Sequence, residues 1–225
     1  LTLLYLHNNH LTSSIPSSLG ELIELSYLIL YNNLLTGIIP PSLGNLVKLN
    51  YFYVNDNVMT GTIPSSLGNL SEVVYFWIHT NHFSGTIPPE LGKLSKMYYF
   101  AAQSNALQGT LSTDLSSLTT LRYLYLYRNS LSGSIPQEVA GMRSLYYLYL
   151  HVNQLTGTIP PAIRLLNKLR GLRLFSNQLT GFLPSYFPPL LDYLDVDNNN
   201  LNGTLPEELG SLSRLEVIFC DHNSF

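Results

Sequence analysis

Side chains with reactive chemistry are few in this chain. Among its 225 residues are six His, one Cys and 14 Asp plus Glu. A metal centre needs three or four converging ligands, and His7 with His10 and His79 with His82 are local pairs with no third ligand beside them. A lone Cys makes neither an internal disulfide nor a multi-cysteine zinc site. Asp195 and Asp197 stand two residues apart, so on a strand both carboxylates share one face. Such a pair can act as paired acids or hold Ca²⁺, but Arg173 offers Asp195 a simpler ion pair. No nucleophile elbow, phosphate loop or zinc signature occurs. The chain therefore reads as a non-enzyme with no catalytic residue, metal site or cofactor. What it has in excess is tyrosine, 16 in all. Large, stiff, amphipathic rings are suited to binding.

The elements that position these rings come from an internal repeat. Leu1, Leu25, Leu49, Val73, Met97, Leu121, Leu145 and Leu169 recur every 24 residues, and Leu191 and Leu215 follow. Each opens the same phrase: apolar, two variable, apolar, variable, apolar, two variable, Asn. The Asn column is unbroken from Asn9 to Asn223. A Gly stands four residues after the Asn in all but the first complete repeat, which has Ser13, and Ile or Leu follows two later, usually with Pro next. There are nine full repeats and the start of a tenth.

Each column has a physical role. The apolar-variable-apolar segment (Leu4-Tyr5-Leu6) alternates in and out as a short strand. Stacked coils join these strands into a parallel sheet at roughly 4.8 Å per strand. At that spacing His7, His79 and His151, three repeats apart, are roughly 14 Å from one another, too far to share a metal. A buried Asn at the turn can bond backbone groups of its own and adjacent coils. Gly eases the next bend, and Pro suits a position without a ladder donor. No repeat buries its apolar face alone, so neighbours must stack.

Numbering each repeat from its first apolar residue, positions 3, 5 and 7 point away from the core. These columns hold 13 of the 16 tyrosines and the one Trp. The densest cluster is Tyr123, Tyr125, Tyr127, Tyr147 and Tyr149, flanked by Tyr27, Tyr51, Tyr53, Tyr75, Trp77 and Tyr99. No charge enters these columns in repeats one to seven; Arg173, Asp195, Asp197 and Asp221 follow in the last three. Tyrosine favours strands and stacks across them, which explains part of the pattern. A contiguous face of rings is nonetheless more than a monomer usually exposes. These eleven aromatic residues are the expected binding surface, with a protein or peptide as the foremost partner and a glycan as another. Cys220, at the inward position 6 of repeat ten, is expected to act as a small buried hydrophobe.

The phrase L-x-x-L-x-L-x-x-N-x-L-x-G-x-I-P resembles the plant-specific class of leucine-rich repeats, and Leu145 to Pro160 follows it at every fixed position. The class is typical of ectodomains of receptor-like kinases and receptor-like proteins. The resemblance implies an α/β repeat solenoid: a right-handed, twisted leucine-rich repeat arc with a parallel β-sheet on its concave face and a second short strand near the Thr-Gly-Thr segment. It also implies an extracellular or cell-surface location. Relatives that bind peptide carboxylates often offer two Arg at alternate strand positions; here Arg173 is followed by Phe175, so that site is not carried over. Residues 1–225 read as one solenoid. The paired-cysteine caps of the family are missing, so a longer chain is expected around it.

Other features complete the reading. Repeat five has Leu111-Ser112 for Ile-Pro and Ala102 in a core column, which predicts a looser coil. Repeat eight is two residues short near Phe187–Leu190, which predicts a convex irregularity. Asn69 and Asn202 head N-glycosylation sequons. Paired hydroxyls beside the Gly, such as Thr60/Thr62 and Thr156/Thr158, form rows like those of ice-binding surfaces. A self-associating extracellular or wall-associated scaffold is the other alternative to a recognition domain. Eleven basic against 14 acidic residues leave a net charge of −3, without the basic stripe that nucleic acid requires or the polybasic patch of a membrane-surface binder. No apolar run reaches the roughly 20 residues of a membrane span.

Overall fold

A computed structural model describes all residues, 1–225. Ten three-residue strands, from Leu3–Tyr5 to Val217–Phe219, form one parallel sheet in chain order. Their register is the repeat itself: Tyr51 pairs with Tyr75, Phe52 with Phe76 and Tyr53 with Trp77. Inward residues of these strands join 53 buried residues in one core cluster, where Phe52, Phe76 and Phe100 are fully buried. The repeat solenoid expected from the sequence is the observed architecture.

The opposite side is built from five-residue 3-10 helices, eight in all and none of them α. A Pro or Ser precedes each in extended conformation, as at Pro64 with φ −66° and ψ 133°. Repeat eight is the complete repeat without such a helix, which is the convex irregularity its length predicts. In repeat five, Ser112 replaces the proline and its hydroxyl accepts from the Asp114 N–H at 3.2 Å. A cavity of about 10 Å³ lies beside Leu111, Leu115 and Leu124, and Ala102 is fully buried.

A second sheet of five strands runs from Thr60–Thr62 to Gln154–Thr156, and Thr180–Gly181 pairs with Asn200–Leu201 beyond it. Its register differs from that of the first. Thr60 pairs with His82 and Thr62 with Ser84, two residues off the repeat. The hydroxyl rows are therefore staggered: Ser134 meets Thr156, whereas Ser132 meets Gln154.

The Asn column links the coils. Asn33 Nδ2 donates to the carbonyls of Leu6 in the preceding coil and Leu30 in its own, at 2.9 and 3.1 Å, and Oδ1 accepts from Leu11 N–H at 3.0 Å. The pattern repeats to Asn223. The residue before each Asn lies in the left-handed region, with φ between 51° and 56°, even where it is Thr80 or Val152. Such conformations are costly for β-branched residues; here the flanking hydrogen bonds hold them, since Val152 N–H donates to Phe175 and Asn153 N–H to Ser176.

Candidate functional site: the aromatic concave face

Alternation along each strand turns positions 3, 5 and 7 outward, and the 24-residue register stacks like on like. In the first column Tyr27 stacks on Tyr51 at 4.4 Å and Tyr51 on Tyr75 at 5.0 Å; Tyr99, Tyr123 and Tyr147 continue at 4.8 and 5.7 Å. In the second, Tyr53 stacks on Trp77 at 4.2 Å and Tyr125 on Tyr149 at 4.7 Å. Ala101 interrupts that column, and Trp77 turns edge-on to Tyr99 at 5.3 Å. In the third, His151 lies between Tyr127 and Phe175, each ring at 4.3 Å. All eleven aromatic residues singled out in the sequence meet on this one surface.

The stacking half-buries the rings. Burial, reinforced by neighbouring phenols, pushes the Tyr53 and Tyr125 phenols up; burial also raises Tyr99 to about 12, against a downward pull from its hydrogen bond with Tyr125. Burial first, and the nearby Arg173 and Arg128 next, lower His151 to about 4. Burial also lowers His79, against a smaller upward pull from Asp56. Both imidazoles are thus neutral near pH 7.

Seven buried side-chain polar atoms have no hydrogen-bond partner in the protein, and every one belongs to position 5 or 7 of this face. They include Trp77 Nε1, His151 Nδ1, Gln103 Oε1 and Arg173 Nε. Buried polar groups are normally satisfied, so this surface holds unused donors and acceptors among its rings. Beside them Tyr127, Arg128, Tyr149, His151 and Arg173 line a hollow of about 330 Å³.

The ion pair expected between Arg173 and Asp195 does not form. The two residues are in register, but the guanidinium lies over the rings of Tyr149 and Tyr193, at 4.8 and 4.5 Å. A planar cation held between two aromatic faces gains from both. Asp195 is left with the Tyr193 hydroxyl at 3.3 Å, and burial plus the adjacent Asp197 carboxylate raise it to about 7.

Sequence reasoning missed one ladder. At position 2, on the flank of the face, Arg122 sits 5.0 Å from the Tyr98 ring and 5.2 Å from that of Tyr146. Arg170 reaches Tyr146 at 5.9 Å and pairs with Asp192 at 3.4 Å. The signal was present: Tyr98, Arg122, Tyr146 and Arg170 alternate at the repeat spacing. The sequon residues Asn69, closing a convex helix, and Asn202, beside the Gly203 turn, are both exposed. Cys220 is half-buried against the core rather than enclosed by it, because its strand is the last of the sheet.

The Leucine Rich Repeat family model matches residues 1–22, 24–46, 120–142, 144–166, 168–190 and 191–212, more than half of the chain. The chain belongs to the leucine-rich repeat family. A search of curated proteins finds no match. Among solved structures it is similar to the plant peptide hormone receptor RGFR1 in complex with RGF2 (31% identity, TM-score 0.91, 99% of this chain and 40% of that one). It is similar to the ectodomain of the Arabidopsis receptor kinase HAESA in complex with an extended IDA peptide hormone (29% identity, TM-score 0.93, 100% and 38%). A plant ice-binding protein also resembles it (27% identity, TM-score 0.85, 98% and 72%). The chain thus spans about two fifths of the length of these receptor chains. No helix is long and apolar enough to cross a membrane.

Proposed function

We propose that this chain is a non-catalytic recognition segment of an extracellular leucine-rich repeat protein, and that it binds a protein or peptide along its aromatic concave face. The observation that carries this reading is the continuous array of half-buried, stacked rings across successive strands of one face. An extended peptide would lay apolar groups on the rings and set its backbone amides and carbonyls against the phenol hydroxyls at their edges. Similarity to receptors whose solved complexes hold peptide hormones supports the same reading.

The test is selection of a random peptide library on the folded chain, followed by affinity measurement on variants. Tyr125→Ala should weaken the selected peptide by about tenfold or more, as for a binding hot spot, whereas the convex-side Ser66→Ala should leave it unchanged. Peptides that bind both variants equally would place recognition elsewhere. Concentration-dependent assembly in light scattering would favour the scaffold reading. Ice binding draws support from the neighbour covered over 72% of its length. Its surface would be the staggered hydroxyls of the second sheet, and faceted crystal growth in a supercooled drop would favour it.

A further inference from the structure

The stacked phenols have a reactivity of their own. A phenol gives one electron and one proton to a one-electron oxidant, and two phenol radicals join at the ring carbons beside their oxygens. The reaction needs two rings held face to face. Tyr27 and Tyr51 are in register on adjacent strands, with ring centroids 4.4 Å apart and planes 10° from parallel. Burial first, and then the Tyr27 phenol, raises the phenol of Tyr51. The two hydroxyl ends therefore lie together, and the carbons beside them face one another. Tyr27 also ends the stack: beyond it Tyr5 stands edge-on at 6.0 Å, so that side of Tyr27 carries no parallel ring. The other near-parallel close pair, Tyr125 and Tyr149 at 4.7 Å, is less suited. The Arg173 guanidinium lies 4.8 Å over the Tyr149 ring, and a cation there opposes removal of an electron.

We propose that Tyr27 and Tyr51 are a site of oxidative modification, at which an enzyme of the haem-peroxidase class joins them as dityrosine and staples the second coil to the third. Each phenol loses one electron and one proton to the enzyme, whose oxidant is hydrogen peroxide. The two radicals form one carbon–carbon bond between ring carbons ortho to oxygen. The hydrogens on those two carbons then leave as protons while the two oxygens regain theirs, which restores both aromatic rings. Two hydrogens leave the chain in all, and one hydrogen peroxide is reduced to two molecules of water. The staple rests on the extracellular reading only for the meeting with such an enzyme. The reaction depends on ring geometry, not on peptide binding.

The test treats the dilute folded chain with a haem peroxidase and hydrogen peroxide, then denatures it and digests it with trypsin. Cleavage after Lys48 parts Tyr27 from Tyr51. The cross-link should therefore appear as a joined fragment, two hydrogens lighter than its parts together and carrying dityrosine fluorescence. Fragmentation should place the bond at Tyr27 and Tyr51. Tyr27→Phe and Tyr51→Phe keep the rings and should each abolish the joined fragment, whereas Tyr186→Phe, at an exposed site, should not. Oxidation in denaturant should no longer give it. The linked chain should melt at a higher temperature than the unlinked one, because a closed loop restricts the unfolded chain. No joined fragment, a joined fragment that persists in either Phe variant, or cross-linking only between chains through Tyr186 would overturn the assignment. Failure to select any peptide, with the joined fragment intact, would count against the recognition reading alone.

Discussion

Asn105 illustrates what one side chain does in this molecule. Its amide donates to Ile78 and Ala102 carbonyls at 3.2 and 3.1 Å, and its oxygen accepts from Phe83 N–H at 2.9 Å. Asn105→Ala strands backbone groups of two coils and should cost about 1–3 kcal/mol. Asn9 is exposed and bonds only its own coil, so Asn9→Ala should cost clearly less; equal losses in denaturant titrations would remove the Asn column from the account of stability. His151 gives a pH signature. Its folded value of about 4 lies below the ordinary 6.5, so the unfolded chain takes up the proton first as pH falls. Stability should therefore drop as pH falls from about 6.5 towards 4. His151→Phe keeps the ring stack and loses the titration. The wild type's melting temperature should fall relative to this variant over that interval, and a constant difference would refute the assignment. The Asn column was legible because ten copies align in the sequence. The left-handed residue before it was not, since Asp, Thr, Arg, Val and His all occupy that position; the coil imposes the conformation against local preference. Arg173 opposite Asp195 was legible as register and misleading as chemistry, because two tyrosines compete for the same guanidinium.

At the scale of elements, the close approach of the convex helices in the first four repeats requires glycine, at Gly20, Gly44, Gly68 and Gly92. A Cβ on Gly68 would lie 2.5 Å from the Glu90 carbonyl oxygen of the next coil, while one on Gly210 would meet nothing within 4 Å. Gly68→Ala should cost about 1–3 kcal/mol by overpacking, and Gly210→Ala nothing measurable. Chemical denaturation of the two variants checks this contrast, and identical midpoints would show that the coils shift apart freely. The parallel concave sheet was readable from alternation and a fixed period. That the convex turns are 3-10 was not, because five residues show no helical period. Nor was the two-residue offset of the second sheet, since no residue of a single repeat encodes the register between coils.

For the whole molecule, the aromatic face is both surface and support. Strand alternation alone predicts that outward rings contribute little to stability. The stacks change this: Trp77 lies 4.2 Å from Tyr53 and 5.3 Å from Tyr99, and such pairs are worth about 0.5–1.5 kcal/mol each. Trp77→Ala should therefore lose about 1–3 kcal/mol from these two pairs, less than the loss of about 3–5 kcal/mol for the fully buried Phe76→Ala. A loss at Trp77 as large as that at Phe76 would make the face a second core and weaken the case for binding. The position of the face was legible from the sequence. Its stacking geometry was not, since ring-to-ring distances depend on how successive coils are placed, which no single repeat encodes.

The asparagine ladder has a mechanical consequence. Each Asn fastens its coil to the preceding one through the same few bonds, and contacts run only between neighbouring coils. Tension applied between the two ends therefore loads these fastenings in series. The solenoid should peel one coil at a time, giving a sawtooth of force against extension with teeth roughly 80 Å apart, the contour length of 24 residues. The tooth for the shortened repeat eight should be narrower and, lacking a convex helix, weaker. A single rupture releasing the whole chain at once would mean that the coils yield together and not in sequence.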